Sequence, residues 1–207
     1  MNKFALLLVV LAIYSCKKEK DEVPTPATPS TPSAINCFPL TTGSYWIYER
    51  FNLDTNGVET VTAVDSSYIS GDTVIAGKTY SIFVGNAYSP TFVSFRRDSL
   101  GYLVDQYNAI HASNNNYSDT LRTDILPGYF DGYYKMMPAA SLSVPAGSFS
   151  AYDFLGYVNI TQPGYLWDTT RNTHAYYAEN VGLIRETFFF LSSPNYIGRR
   201  LLRYNIQ

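Results

Sequence analysis

Turn-forming segments recur along most of this chain, about every 8–12 residues, and they separate runs rich in β-branched and aromatic side chains. Outside the first 15 residues, no window of about twelve residues has the apolar spacing of a helix. Aromatic residues make up 16% of the chain, mostly Tyr and Phe, which favour a pleated, half-buried surface. The pattern predicts a single all-β domain: an antiparallel sheet, formed as a sandwich or an open barrel.

The turn signals divide the chain into predicted strands. These are residues 44–51, 58–69, 74–76, 79–84, 92–97, 102–104, 141–144, 149–160, 173–178, 183–190 and 201–206. Ser70–Thr73 is predicted to be a turn between two of them, because Gly and Asp favour turns. The polar, Asn-rich residues 108–119 predict a long exposed loop, and residues 121–137 are ambiguous.

The N-terminus has the organisation of an export signal. Lys3 precedes the ten apolar residues Phe4–Ile13. A helix that spans a bilayer needs roughly 20 apolar residues, so this run is too short to remain in the membrane. A positive residue followed by a short apolar run is typical of a secretory signal.

The end of this signal resembles a bacterial lipobox. Ile13 is the apolar residue three before Cys16, and Ser15 is the small residue just before it. Tyr14 departs from the pattern, which usually has a small residue there. The resemblance implies removal of residues 1–15 and lipidation of Cys16, so that acyl chains anchor the protein to a membrane.

The segment after Cys16 predicts a tether. Residues 17–22 are charged, and residues 23–34 are rich in Pro, Thr and Ser. Proline fixes φ and removes a hydrogen-bond donor, so the segment favours an extended, disordered linker some tens of Å long. The charged run and Lys17 resemble the export signals of surface-exposed Bacteroidetes lipoproteins, which implies residence in the outer membrane. The predicted domains are 1–15 (signal), 16–36 (lipidated Cys and linker) and 37–207 (β domain).

The net charge and the cysteine content of the chain limit the partners and the disulfide bonds that can be expected. The net charge is −2 without a basic stripe, which argues against nucleic acid as a partner. If Cys16 is lipidated, Cys37 has no second cysteine in the chain to pair with. Cys37 is predicted to be a small buried thiol; an intermolecular disulfide or a reactive thiol is the alternative. We predict no metal and no cofactor.

Five segments of the β domain resemble a broad group of uncharacterised Bacteroidetes lipoproteins. They are FPLTTGSYWIYE (38–49), DTVIAGKTYSIF (72–83), RRDSLGYLVD (96–105), VPAGSFSAYDF (144–154) and YYAENVGLIRET (176–187). The resemblance implies a strongly curved antiparallel sheet, similar to the half-open barrels of periplasmic lipoprotein carriers. The glycines of these segments fall where hairpins turn, so the motifs are interpreted as determinants of the fold.

The residues with catalytic potential are scattered. His111 and His174 have no recognised ligand spacing, and the chain has no G-x-S-x-G elbow and no phosphate-binding glycine loop. We therefore predict no enzymatic activity and a binding or structural role. The alternatives are an envelope hydrolase with a scattered site around either histidine, and a carrier of lipid or another hydrophobic ligand. A carrier would line its cavity with residues such as Phe149, Phe154, Phe188 and Phe190.

Two further sets of residues are candidate sites. Five aromatic residues in expected loops are candidates for ligand contact: Tyr117, Tyr129, Tyr133, Tyr165 and Trp167. Four Asp-Ser/Thr sequences resemble the acceptor of the Bacteroidetes O-glycosylation system, with Thr73, Ser99, Thr120 and Thr169 as acceptors. Asp and Thr also cluster at turns for local hydrogen bonding, which is the alternative explanation. Trp46 is assigned to the core.

Overall fold

The computed structural model describes residues 37–86 and 91–207 as an all-β domain. The predictions for residues 1–36, including Cys16, lie outside the described residues. The strands are β1 (Tyr45–Leu53), β2 (Glu59–Ile75), β3 (Lys78–Gly85), β4 (Phe92–Ser99), β5 (Tyr102–Asp105), β6 (Ile110–Ser113), β7 (Arg122–Leu126), β8 (Phe130–Val144), β9 (Gly147–Ile160), β10 (Thr170–Ala178), β11 (Gly182–Phe189) and β12 (Tyr196–Asn205).

All twelve strands form one antiparallel sheet. Two meanders, β1 to β6 and β7 to β12, are joined where β1 pairs with β12, so β6 and β7 are the two edges. The sheet is nearly closed into a barrel. Across the seam between the edges, Arg122 of β7 donates a hydrogen bond to the carbonyl oxygen of Ile110 in β6, at 3.3 Å. The half-open barrel predicted from the sequence is therefore the observed architecture.

Two of the predicted hairpins turn through a pair of residues with positive φ, the second of which is glycine. Ala76 and Gly77, between β2 and β3, have φ of 49° and 75°. Leu100 and Gly101, between β4 and β5, have φ of 56° and 88°. Two-residue turns with positive φ at both positions match the right-handed twist of the flanking strands.

Two predictions from the sequence are wrong. Ser70–Thr73 is not a turn, because β2 continues through it with a register shift between Ile69 and Gly71 against β3. Residues 108–119 are not one exposed loop, because they contain β6, in which Ala112 and Ser113 are buried. The ambiguous residues 121–137 form β7 and the first half of β8.

The core lies on the inner face of the sheet and is rich in aromatic side chains. Trp46 and Tyr48 of β1 are fully buried and donate hydrogen bonds to the carbonyl oxygens of Val181 (2.6 Å) and Leu183 (2.9 Å). Phe38 packs on Trp46 with ring centroids 5.0 Å apart. Cys37 is also buried, as predicted, and burial raises the pKa of its thiol to about 12.

A second packed cluster, around Phe51, requires glycine at position 198. The ring of Phe51 is fully buried beside Gly198, its partner in the β1–β12 register. A Cβ atom at Gly198 would lie 2.5 Å from the Phe51 ring and 2.6 Å from the backbone oxygen of Glu186. The guanidinium groups of Arg185 and Arg200 lie over the other side of this ring. Only glycine leaves room for the ring at this position.

Different connections between strands lie at the two ends of the sheet. Successive antiparallel strands reverse direction, so the β1–β2, β9–β10 and β11–β12 connections lie at one end, which we call the hairpin end. The β10–β11 turn lies at the opposite end. A Cβ atom at Gly182 in this turn would lie 3.3 Å from Phe38 and 3.4 Å from Pro39. The first described residues therefore pack at the end opposite the hairpin end.

Candidate functional site

A cleft of about 390 Å³ opens at the hairpin end. This volume lies within the range of about 300–1,000 Å³ that is usual for small-molecule sites. The β1–β2 turn contributes Asp54 and Thr55, the β9–β10 loop contributes Trp167 and Asp168, and Tyr196 begins β12. We call this space the hairpin-end cleft. Three connections that are distant in sequence meet here because the sheet order brings them to the same end.

Arg171 of β10 holds the walls of the cleft together. Its side chain is only 4% exposed. Nη1 and Nη2 donate to the carbonyl oxygens of Ser193 (2.8 Å), Pro194 (2.8 Å) and Asn195 (3.2 Å) in the β11–β12 loop. The remaining donations reach two hydroxyl groups, those of Tyr165 (3.2 Å) and Tyr196 (3.5 Å). Five bonds match the five N–H groups of a guanidinium, so Arg171 has no donor left for a ligand.

The aromatic side chains of the cleft are held by the same residue. The Arg171 guanidinium lies 4.0 Å from the ring centroid of Phe189 and 4.4 Å from that of Tyr196. Trp167 packs edge-to-face on Tyr165 with centroids 5.4 Å apart. A buried cation over aromatic rings contributes up to about 2 kcal/mol. These contacts hold Tyr196 in place directly and Trp167 through Tyr165.

Two carboxylates, those of Asp54 and Asp168, line the cleft. Asp54 Oδ1 accepts hydrogen bonds from the backbone N–H groups of Asn56 (2.9 Å) and Val58 (2.8 Å), which fixes the turn. Asp168 is exposed in the β9–β10 loop. The positive charge of Arg171, which also lines the cleft, is buried and fully hydrogen-bonded.

Of the five predicted aromatic residues, the structure brings two together. Trp167 lines the hairpin-end cleft, and Tyr165 packs against it from outside the lining. Tyr117 stacks on Tyr152 and is partly buried against the core. Tyr129, 48% exposed, lies in a turn. The loop position predicted for Tyr133 is wrong, because this residue lies within β8, paired with Tyr157.

Sequence reasoning missed Arg171 and Tyr196 as parts of this cleft. The carbonyl partners of Arg171 lie 22 to 24 residues further along the chain. An isolated arginine just before a predicted strand gives no signal for such contacts.

The candidate glycosylation sites are all on described segments. Thr120 and Thr169 are exposed in loops, whereas Thr73 in β2 and Ser99 at the end of β4 are partly buried. An acceptor hydroxyl must reach a transferase, so Thr120 and Thr169 are the more accessible pair. Glycosylation stays a prediction.

Both histidines pair with an aspartate. His174 Nδ1 lies 2.7 Å from Asp153 Oδ2, and its ring stacks on Tyr176. His111 Nε2 lies 3.1 Å from Asp105 Oδ2, and its burial, together with Arg96, lowers its pKa to about 4. Within residues 37–86 and 91–207, neither histidine hydrogen-bonds to a Ser, Thr or Cys side chain, and no group of three His, Cys, Asp or Glu could hold a metal ion.

The phenylalanines proposed for a carrier cavity are dispersed. Phe154 and Phe188 line a common cavity of about 180 Å³ on the inner face. Phe149 packs edge-to-face on Tyr204, and Phe190 is 53% exposed. The four side chains therefore do not share one lining. In the part of the chain that the structure describes, no helix has the length and apolar character needed to cross a bilayer.

Comparison with known proteins gives a likeness in fold. No family model and no curated protein matches this sequence. A crystal structure of a candidate lipoprotein from Parabacteroides distasonis matches with a TM-score of 0.54 and 13% identity, covering 81% of this chain and 97% of the other. A candidate exported protein with YmcC-like fold from Bacteroides fragilis matches with a TM-score of 0.48 and 14% identity, covering 80% and 96%. The first of these shares the fold of this chain.

Proposed function

We propose that this protein is a lipid-anchored, non-catalytic domain of the cell envelope that binds neutral carbohydrate in the hairpin-end cleft. The observation that carries the proposal is the position and the lining of this cleft. It lies at the end of the sheet opposite the first described residues, so a chain anchored through Cys16 would present it away from the lipid. The description of the P. distasonis fold neighbour as a candidate lipoprotein is consistent with this location.

The ligand class follows from the charges of the cleft. The carboxylates of Asp54 and Asp168 repel an anion, and the buried guanidinium of Arg171 repels a second cation. Both carboxylates accept hydrogen bonds, and Trp167 offers an aromatic ring. A neutral sugar fits these groups, because it donates hydrogen bonds from its hydroxyl groups and stacks its C–H face on an aromatic ring.

The substitution Trp167→Ala tests the ligand. We expect wild-type protein to bind neutral oligosaccharides on a glycan array that also displays uronic-acid glycans and cationic amines. Trp167→Ala should weaken that binding at least tenfold, because stacking on the indole is lost. Tyr129→Ala, at an exposed tyrosine outside the cleft lining, is the matched control and should bind normally. Equal binding by wild type and Trp167→Ala would refute the assignment, as would binding of the amines alone.

The substitution Cys16→Ser tests the anchor. Each buried lipid methylene contributes about 0.8 kcal/mol, so two or more acyl chains hold a protein on a membrane. We expect the wild-type chain to sediment with membranes and Cys16→Ser to remain in the soluble fraction. Intact-mass measurement of the wild type should show a diacylglyceryl adduct on a chain that begins at residue 16. A Cys16→Ser protein that still sediments with membranes would contradict lipid anchoring.

A further inference from the structure

A second cavity, of about 190 Å³, lies on the inner face of the sheet and is lined by both apolar and polar side chains, Glu186 and Arg199 among them. Phe83, Phe92 and Leu103 form an apolar wall. Ser94 and Arg96 lie on the polar side. These two residues are two positions apart in β4, so their side chains lie on the same face of the strand. We call this space the inner cavity.

The polar side of the inner cavity has unused hydrogen-bonding groups. Among the described residues, Arg96 makes a single hydrogen bond, from Nη1 to the carbonyl oxygen of Phe95 at 3.1 Å. The other four N–H groups of its guanidinium have no partner there. Ser94 Oγ is buried and also has no partner among the described residues. Buried polar atoms are nearly always paired, so the Ser94 hydroxyl group needs an explanation. Arg96 is only partly buried, and its N–H groups are available beside this hydroxyl group.

The neighbouring acids are already engaged. Asp105 lies opposite Arg96 in the β4–β5 register, yet its Oδ2 contacts His111 and its Oδ1 accepts from the backbone N–H groups of Tyr107 and Ala109. Glu186 forms an ion pair with Arg199. His111 is neutral at pH 7, since burial and the charge of Arg96 lower its pKa to about 4. The guanidinium of Arg96 therefore stands as a cation with free donors beside an apolar wall.

We propose that the inner cavity binds a small carboxylate with a short aliphatic chain. The carboxylate accepts hydrogen bonds from Arg96 and from Ser94 Oγ, and the chain packs on the apolar wall. A water molecule occupies about 30 Å³ in the liquid, so the cavity holds roughly six non-hydrogen atoms. Butanoate, with four carbons and two oxygens, has this size. The site is independent of the hairpin-end cleft and goes beyond the function proposed for it.

The probes are butanoate, acetate, 1-butanol and inorganic phosphate, used with the wild-type protein. Because a ligand that binds only the folded state stabilises it, we expect butanoate to raise the Tm and to bind with measurable heat in calorimetry. Acetate should bind more weakly, because it leaves the apolar wall empty. 1-Butanol lacks the charge and phosphate lacks the chain, so neither should bind as butanoate does. Binding of 1-butanol or phosphate as tight as that of butanoate would overturn the proposal.

Substitutions of Arg96 and Ser94 test whether butanoate binds in the inner cavity. Arg96→Gln should lose at least tenfold in butanoate affinity. Arg97→Gln is the matched control, since Arg97 instead hydrogen-bonds to Asn108 and lies over the ring of Tyr80, and it should bind normally. If Arg96→Gln does not fold, Ser94→Ala provides the second variant and should weaken binding at least threefold. Trp167→Ala should keep wild-type affinity for butanoate. Unchanged binding in the folded Arg96→Gln protein, or in Ser94→Ala, refutes the site, as does a wild type that does not bind butanoate.

Discussion

Replacing Arg171 with Met is expected to lower the free energy of unfolding by roughly 2–4 kcal/mol and to open the hairpin-end cleft. The substitution removes five hydrogen bonds, three of them to carbonyl groups of the β11–β12 loop. Hydrogen bonds to a charged group are worth about 1.5–3 kcal/mol each, but exposed carbonyl groups recover part of this from water. Methionine keeps the aliphatic length, so the loss comes mainly from the polar contacts.

Urea unfolding and acrylamide quenching measure the two effects of Arg171→Met separately. The chain has two tryptophans, and Trp46 is fully buried, so quenching in the folded state reports chiefly on Trp167. We expect a lower urea midpoint and stronger quenching, because the loop and Tyr165 lose their common partner. Arg203→Met is the control, since Arg203 is exposed, and it should change stability by less than about 0.5 kcal/mol. A urea midpoint and a quenching constant equal to those of the wild type would show that Arg171 does not hold the β11–β12 loop and Tyr165 in place.

The parts of the fold that could be predicted are those that local chemistry determines. The Ala76-Gly77 and Leu100-Gly101 turns are visible because glycine marks positive φ between two apolar runs. The four-residue strand β6 was missed because its Asn-rich surroundings resemble a loop, and only its pairing with β5 makes it a strand. The register shift between Ile69 and Gly71 was mistaken for a turn for a related reason. Gly and Asp are common at both turns and irregular strand positions, and only pairing with β3 shows that β2 continues.

The residues of the candidate sites also divide into those that the local sequence reveals and those that depend on distant strands. Trp167 and Tyr165 were found because exposed aromatic residues in a Pro-Gly loop are conspicuous in a sequence. Arg171 and Arg96 were not, because their importance depends on which backbone carbonyls and carboxylates surround them. Those surroundings come from strands that are distant in sequence, and strand order was not part of the prediction.

Replacing Trp46 with Ala is expected to cost about 3–5 kcal/mol, the usual range for a buried Trp or Phe in a core. Trp46 has no exposed surface, contacts the rings of Phe38 and Phe83, and donates its N–H to the carbonyl oxygen of Val181 at 2.6 Å. Domains of this size are stable by about 5–15 kcal/mol, so the variant would lose a large share of its stability.

The conservative variant Trp46→Phe separates packing from the hydrogen bond. It keeps an aromatic ring and leaves the Val181 carbonyl without its donor, so we expect a smaller loss of about 1–3 kcal/mol. Urea unfolding measures both variants, with Trp167→Ala as the control for loss of an indole outside the core. The Val181 carbonyl lies in the β10–β11 turn, beside Gly182 and Phe38, where the first described residues pack. A Trp46→Ala protein as stable as Trp167→Ala would show that this end of the sheet does not depend on the Trp46 indole. It would also contradict the packing of Phe38 on that indole.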